Sequence, residues 1–210
     1  LYRIGYDPYQ QDEGSSLGSA YVYKGNLKWS YKRDTIVAST VGRPRTAEEM
    51  HERVLALAVY YNAMVLHENM TKDVQNYFRQ QHMLKYLQKQ PQEVIDAAVR
   101  NSKVKRIYGI HMNEGIRDLG EKLLIKWLLT ERDFDEDEKP ILNLETIYDP
   151  ALLKEMMMYN RKGNFDRVDS MLHVMLSREQ DSLKKEYTEE DPENDVYSQL
   201  DDMMHSQFRH

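Results

Sequence analysis

Residues 2–9, YRIGYDPY, form the stretch around which we expect the rest of the chain to be organised. Tyr2, Ile4 and Tyr6 alternate with polar or small neighbours, which is the pattern of a β-strand. Asp7 stands at the C-terminal end of this strand, and Pro8 stops further ladder pairing just beyond it. The stretch therefore predicts a carboxylate at the edge of a sheet. Taken alone, Asp7 is explained equally well as the acid of a strand-ending turn.

The composition indicates one folded domain. The chain has 210 residues, of which 40% are hydrophobic and 10% aromatic, and no apolar run approaches the roughly 20 residues that span a bilayer. It contains no cysteine, which excludes disulfides and thiolate zinc sites, and it shows no signal-peptide pattern. We expect an intracellular protein without membrane contact. Because the chain opens almost directly inside a strand, we also expect a fragment of a longer protein.

The net charge of −6 is unevenly distributed. Nine acids and only two lysines lie between Asp181 and Asp202, whereas residues 1–180 are neutral overall. We therefore predict a folded domain over residues 1–180 and an acidic tail over residues 181–210 that is disordered or loosely docked. A neutral body can still bind nucleic acid through a local basic strip.

The order of the predicted elements is typical of an α/β fold. Residues 17–24 and a stretch between residues 27 and 40 read as strands, so the chain begins with a β-meander. Thr46 and Glu49 form a capping-box signature that predicts a helix up to about Tyr61. Residues 63–68, AMVLHE, then form a short apolar run that is typical of a buried parallel strand. A mixed central sheet flanked by helices follows from this order.

Further elements are predicted from caps and periodicity later in the chain. The first are a helix over residues 72–81 capped by Asn69 or Thr71, a strand over residues 83–87, and a helix within residues 88–101 that starts after Pro91. They are followed by a helix over residues 114–129 capped by Asn113 and a charged linker over residues 131–139. The last two are a helix begun by Asp149 and Pro150 that ends near residues 162–163, and a helix that starts between residues 164 and 169 and ends near Arg178.

The acids form a predicted constellation. If the first and fourth strands lie side by side, Asp7 and Glu68 meet at the carboxyl edge of the sheet. Asp166 and Asp169 in the run NFDRVD are three residues apart on one helix face, which can lie at the same edge. Oxygen ligands without cysteine suit Mg²⁺ or Mn²⁺. Two such ions hydrolyse phosphodiesters in two-metal nucleases, where one activates a water and the other stabilises the leaving oxygen.

These residues carry a resemblance to a known family. The chain resembles the C-terminal nuclease domain of the large terminase subunit of tailed bacteriophages, which has a ribonuclease H-like fold. The resemblance covers most of residues 1–178, and its motifs occur in order: YRIGYDP, VLHENM, GIRDLGEKLLIKWL and YNRKGNFDRVDSML. Each motif is weak alone, and together they are fairly specific.

The resemblance implies site residues and cofactors. Asp7, Glu68 and Asp166 would be the three catalytic, metal-binding acids, and the Asn69 that follows Glu68 agrees with the family. The family often has adjacent acids where this chain has Asp166 and Arg167, so Asp169 either assists as a metal ligand or only solvates the helix. Two divalent ions, Mg²⁺ or Mn²⁺, would be the cofactors.

The resemblance also implies a function and partners. The domain would cleave concatemeric viral double-stranded DNA during genome packaging with little sequence specificity, in the cytoplasm of the host cell. Its partners would be DNA, the portal, the small terminase subunit and the packaging ATPase domain. The chain has no GxxxxGK phosphate-binding loop, so that ATPase is not part of it.

Other interpretations of the same residues stay open. The basic strip of Arg100, Lys103, Lys105 and Arg106 beside Tyr108 predicts DNA phosphate contacts, although such strips are often only solvated surface. The histidines lack paired metal-ligand spacing, so zinc is not expected. A junction resolvase or transposase-like enzyme would need the same fold. A non-enzymatic DNA-binding or portal-docking module would need the acids only for solubility.

Overall fold

The computed structural model describes residues 1–9, 16–25, 33–92, 94–95 and 108–189, and its centre is a four-stranded mixed sheet. The strands are β1 (Tyr2–Asp7), β2 (Gly18–Lys24), β3 (Thr35–Gly42) and β4 (Met64–His67), in the order β3-β2-β1-β4. β1, β2 and β3 pair antiparallel, and β4 pairs parallel to β1. The predicted mixed sheet, its meander start and the pairing of the first and fourth strands are confirmed.

Helices cover both faces of this sheet. They are α1 (Ala47–Tyr61), α2 (Asp73–Gln80), α3 (Glu114–Leu128), α4 (Pro150–Met158) and α5 (Asp166–Glu189). Three predicted N-caps are confirmed: the side chains of Thr46, Asn113 and Asp149 accept backbone N–H groups in the first turns of α1, α3 and α4. Each cap satisfies donors that the first turn leaves without an intrahelical partner. None of the described helices is both long and apolar enough to cross a membrane.

Alternation along the strands divides the core into two sides. Ile4 and Tyr6 of β1 pack with α1 and α2, whereas Tyr21 and Tyr23 of β2 pack with α3, α4 and α5. Successive strand side chains point to opposite faces, so every second residue of β1 faces α5. Asp7 is one of those residues, and the fold therefore sends its carboxylate toward the start of α5.

Helix α5 is attached to the sheet at two places. At Gly5 the helix backbone comes so close that an added Cβ would lie 2.6 Å from the Val174 nitrogen and would also overlap the Ser170 carbonyl oxygen. Glycine is the residue that permits this approach. About three turns further along, Asp181 accepts hydrogen bonds from Arg3 Nε at 2.7 Å and Nη2 at 2.8 Å.

A buried carboxylate joins the α5 side of the fold. Asp34 is 8% exposed and accepts hydrogen bonds from four side chains on different elements: Tyr23, Trp127, Asn143 and Arg178. Burial raises the pKa of Asp34, but these donors and the Arg178 charge outweigh it and hold the pKa below its usual range. A fully partnered carboxylate of this kind fixes how the elements pack.

Two predictions of local structure are wrong. Residues 83–87 contain a 3-10 turn, Leu84–Tyr86, and only Leu87 makes a single parallel bridge to Val65. Residues 131–142 form a hairpin, β5 (Glu131–Phe134) and β6 (Pro140–Leu142), where a linker was predicted. Its turn is closed by Asp135, whose side chain accepts the backbone N–H groups of Asp137 and Lys139.

The predicted caps of α2 are also wrong. The N-cap position is Lys72, which makes no side-chain cap bond, and the Asn69 side chain instead donates to the Tyr108 carbonyl at 2.5 Å. This bond orients the residue after Glu68 toward the chain at Tyr108. Asn69 therefore hydrogen-bonds at the sheet edge and does not cap α2.

Two predicted helix ends differ from the structure. α4 ends at Met158, several residues before the predicted end, and α5 runs to Glu189 instead of ending near Arg178. α5 therefore continues past the domain boundary predicted at residue 180. Just beyond that boundary, Asp181 still contacts the sheet through Arg3. The predicted helix over residues 88–101 and the tail from residue 190 onward lie mostly or wholly outside the described residues, so they stay predictions.

Candidate functional site

An open cavity of about 380 Å³ lies at the carboxyl edge of the sheet. Its lining includes all four predicted acids, Asp7, Glu68, Asp166 and Asp169. They come from three separate elements that are up to 162 residues apart in the chain. The structure thus brings together the acids that the sequence singled out, and their chemical roles stay predictions.

The first pair of acids is set by the parallel pairing of β1 and β4. Tyr6 and His67 are partners in the register, so Asp7 and Glu68 are the next residues on the two chains. The Glu68 N–H donates to the Tyr6 carbonyl at 3.2 Å, which extends the pairing by one bond. Asp7 is 8% exposed. The sheet edge therefore presents two carboxylates side by side.

The second pair of acids is set by the start of α5. Asp166 is the first residue of the helix and Asp169 lies one turn on. Asp166 accepts hydrogen bonds from the Ser16 hydroxyl at 3.1 Å, the Leu17 N–H at 2.8 Å and the Asn164 amide at 3.3 Å. The helix dipole favours anions at this end. Asp166 thereby connects the start of α5 to the chain that enters β2.

Asp169 makes an ion pair inside the fold. Its carboxylate accepts a hydrogen bond from the Arg117 guanidinium of α3. Both side chains are mostly buried, with 25% of Arg117 and 18% of Asp169 exposed. Arg117 also lies 3.4 Å from the Tyr159 hydroxyl, which donates to Glu121 at 2.8 Å. A cation contributed by α3 is therefore bound to one of the acids that line the cavity.

Three of the four acids are repelled by other acids of the cavity. Burial is the largest cause that raises the pKa of Asp7 well above its usual range, followed by repulsion from Asp169, Glu68 and Asp166. Burial also raises the pKa of Glu68, Asp166 and Asp169, and Asp169 adds repulsion at the first two. Arg117 opposes the rise at Asp7, Glu68 and Asp169. Such mutual repulsion in a cavity is typical of sites that hold a cation or exchange protons.

The chemistry of this donor set fits a hard divalent cation. The acids supply only oxygen ligands, and a cation would relieve the repulsion that raises their pKa values. Among the described residues, however, no three histidine, aspartate or glutamate side chains converge closely enough to hold a metal ion. Three of the four acids already have protein partners. Asp166 accepts from Ser16, Leu17 and Asn164, Asp169 pairs with Arg117, and Glu68 accepts a backbone hydrogen bond from Met112. A cation at this site has to compete with those protein donors.

Two arginines and a serine at the site were not predicted from the sequence. Arg43 lines the cavity, donates to the Ser16 carbonyl at 2.6 Å and stacks over the Tyr9 ring at 5.1 Å. Arg117 lies in the quoted motif GIRDLGEKL, but its spacing looks like that of an ordinary helix surface. No local signal marks Ser16 or Arg43, since both depend on which loops meet. The predicted strip of Arg100, Lys103, Lys105 and Arg106 lies outside the described residues.

Comparisons with protein-family models, curated proteins and solved structures find no significant match to this chain. The fold and the site must therefore carry the functional argument.

Proposed function

We propose that this chain is a divalent-metal-dependent DNA endonuclease with a ribonuclease H-like fold. One observation carries the proposal: four carboxylates from three elements line a single cavity at the carboxyl edge of a mixed sheet. Structural acids are usually paired one by one with basic groups, whereas here Asp169, Glu68 and Asp166 all act to raise the pKa of Asp7. A cavity that concentrates carboxylates in this way is suited to binding cations and, through them, phosphate groups.

The acids of the cavity would bind the metal ions, each with its own role. Asp7, whose pKa the other three acids act to raise, would be the central ligand, and Glu68 and Asp166 would complete the set of catalytic acids. Asp169 would be the additional ligand. Two bound Mg²⁺ or Mn²⁺ ions would supply an activated water and stabilise the charge that develops on the phosphate. Arg43 at the rim would contact the DNA backbone, which gives affinity without sequence specificity.

The resemblance to phage terminase nuclease domains supports a more specific role. The substrate would be concatemeric viral double-stranded DNA, cut in the host cytoplasm during packaging. The packaging ATPase domain, the portal and the small terminase subunit would deliver that DNA. Arg100, Lys103, Lys105 and Arg106 would add phosphate contacts.

The test is nicking and linearisation of supercoiled plasmid in Mn²⁺. Asp7→Asn and Asp166→Asn should each abolish cleavage, because each removes a charge from the ligand set while it keeps the side-chain shape. Asp137→Asn is the matched control, since Asp137 lies on the exposed hairpin turn and its substitution should leave cleavage unchanged. Full activity of either site variant would refute the assignment. A strong preference for four-way junctions over linear duplex would favour a resolvase.

A non-enzymatic DNA-binding module is the second candidate. It is favoured by the finding that no three acid or histidine side chains among the described residues converge to ligand distance. Isothermal titration with Mn²⁺ separates the two candidates. A nuclease site should bind Mn²⁺ in wild type and lose affinity in Asp7→Asn, whereas a module that uses its acids for solubility should give equal, weak heats for both proteins.

A further inference from the structure

Arg117 is placed unlike a surface helix residue. It comes from α3, crosses to α5 and pairs with Asp169, 52 residues away in sequence. Its charge acts on Asp7, Glu68 and Asp169, which belong to three different elements. The ion pair with Asp169 alone does not account for the effect of the Arg117 charge on Asp7 and Glu68. The guanidinium is located where its charge opposes the rise in pKa at three of the four acids.

A second anion lies within reach of Arg117 on its own helix. Glu121 is four residues further along α3, which places it on the same helix face. Glu121 accepts hydrogen bonds from the Tyr159 hydroxyl at 2.8 Å and from Arg161 Nε at 3.0 Å, and the field of Arg117 helps to lower its pKa. Tyr159 also lies 3.4 Å from Arg117. The guanidinium thus has a polar destination other than Asp169.

We propose that Arg117 is a built-in counter-ion that occupies Asp169 until a divalent cation displaces it. The inference rests on the proposed metal-dependent function and adds its regulation. Without metal, the guanidinium offsets part of the repulsion among the acids. With metal, Asp169 becomes a ligand and Arg117 turns toward Tyr159 and Glu121. Arg117 is a positioning residue here, since it acts through Asp169.

The proposal predicts opposite effects on metal affinity and on metal-free stability. In Arg117→Met the competing cation is gone, so Mn²⁺ should bind about tenfold more tightly, which corresponds to the lower end of the effect of one nearby charge. The same variant should melt at a lower temperature without metal, because four carboxylates lose their counter-ion, and should gain more in melting temperature when Mn²⁺ is added.

The matched control is Arg3→Met. Arg3 forms an arginine–aspartate pair of similar exposure, 24% for Arg3, at the opposite end of β1. This variant should also melt at a lower temperature, but its Mn²⁺ affinity should equal that of wild type. In an Asp169→Asn background, Arg117→Met should raise Mn²⁺ affinity less than it does in wild type, because the competition for the Asp169 carboxylate is absent there.

Isothermal titration of Mn²⁺ into these proteins, with thermal melts, decides the matter. Tighter binding by Arg117→Met alone supports the proposal, even if wild type binds no measurable Mn²⁺. If wild type binds Mn²⁺ and cleaves DNA while Arg117→Met binds equally or more weakly, the counter-ion proposal is overturned and the nuclease function stands. If neither protein binds Mn²⁺, both proposals are overturned. Equal tightening by Arg3→Met also overturns the counter-ion proposal.

A crystal structure of wild type with Mn²⁺ gives a test that does not depend on the folding of a variant. The ion should be bound by Asp169, with the guanidinium of Arg117 turned away from that carboxylate. An Arg117–Asp169 pair that persists beside bound Mn²⁺ would overturn the proposal.

Discussion

Gly5→Ala tests the connection between packing and the site. Gly5 lies in the middle of β1 and faces α5, where an added methyl group would lie 2.6 Å from the Val174 nitrogen and 2.8 Å from the Val174 Cγ2. The nitrogen and the nearby Ser170 carbonyl belong to the helix backbone, so no side-chain rotation can remove the overlap. The helix itself must move.

The size of the movement follows from these contacts. Ordinary van der Waals separation is about 3.5 Å, so α5 must withdraw from β1 by about 1 Å. Overpacking of this kind typically costs about 1–3 kcal/mol of folding free energy. Because Ser170 is one turn from Asp166 and next to Asp169, the same movement separates those acids from Asp7. A misplacement of about 1 Å can lower an enzymatic rate about 100-fold.

Urea unfolding monitored by circular dichroism measures the first effect, and plasmid cleavage in Mn²⁺ measures the second. Gly42→Ala is the matched control, because its added methyl group would meet nothing closer than Arg53 Nη1 at 3.9 Å. Gly42→Ala should therefore unfold like wild type. The reasoning is refuted if Gly5→Ala also unfolds within about 0.5 kcal/mol of wild type, the usual scatter of surface substitutions.

Two further predictions concern buried polar groups. Asp34→Ala should lower the free energy of unfolding in urea by about 3 kcal/mol, because Arg178 and three other donors lose their acceptor. The control variant Asp137→Ala, at an exposed position, should change the free energy of unfolding little. Equal effects of the two substitutions would contradict the role of Asp34. Burial lowers the pKa of His67 to about 3, while an unfolded histidine titrates near 6.5. Its contribution to stability is therefore present above pH of about 6.5 and is lost as the pH falls toward the folded value. In metal-free protein, His67→Leu should reduce the slope of stability against pH in this window by about 1.4 kcal/mol per pH unit, and an unchanged slope would contradict the assignment.

The sequence predicts the features that have local signals. The alternation of Ile4 and Tyr6 marks β1, and the short polar side chains of Thr46 and Asn113 mark helix starts through backbone bonds a few residues away. The apolar run that ends in Glu68 indicates a strand that is buried on both faces. Such strands are typical of parallel pairs, which agrees with the pairing of β4 with β1. These signals suffice to bring Asp7 and Glu68 to one edge.

Other features have no local signal. β5 lies largely exposed, so its side chains show no alternation, and a charged hairpin has the composition of a linker. The continuation of α5 depends on Arg3, which is 178 residues away from its partner Asp181. Arg117 is the clearest case: its role exists only because α3 packs against α5, and before that packing is known it resembles any solvated helical arginine.

The two attachments of α5 to β1 have a consequence for how the site can adapt. Since the helix is fixed to one strand at Gly5 and again through Asp181, we expect β1 and α5 to move as one rigid body. Asp7, Asp166 and Asp169 all belong to that body. Glu68 directly follows the four-residue edge strand β4, which pairs with β1 through backbone hydrogen bonds. Adjustment of the cavity to different occupants should therefore occur mainly on the Glu68 side.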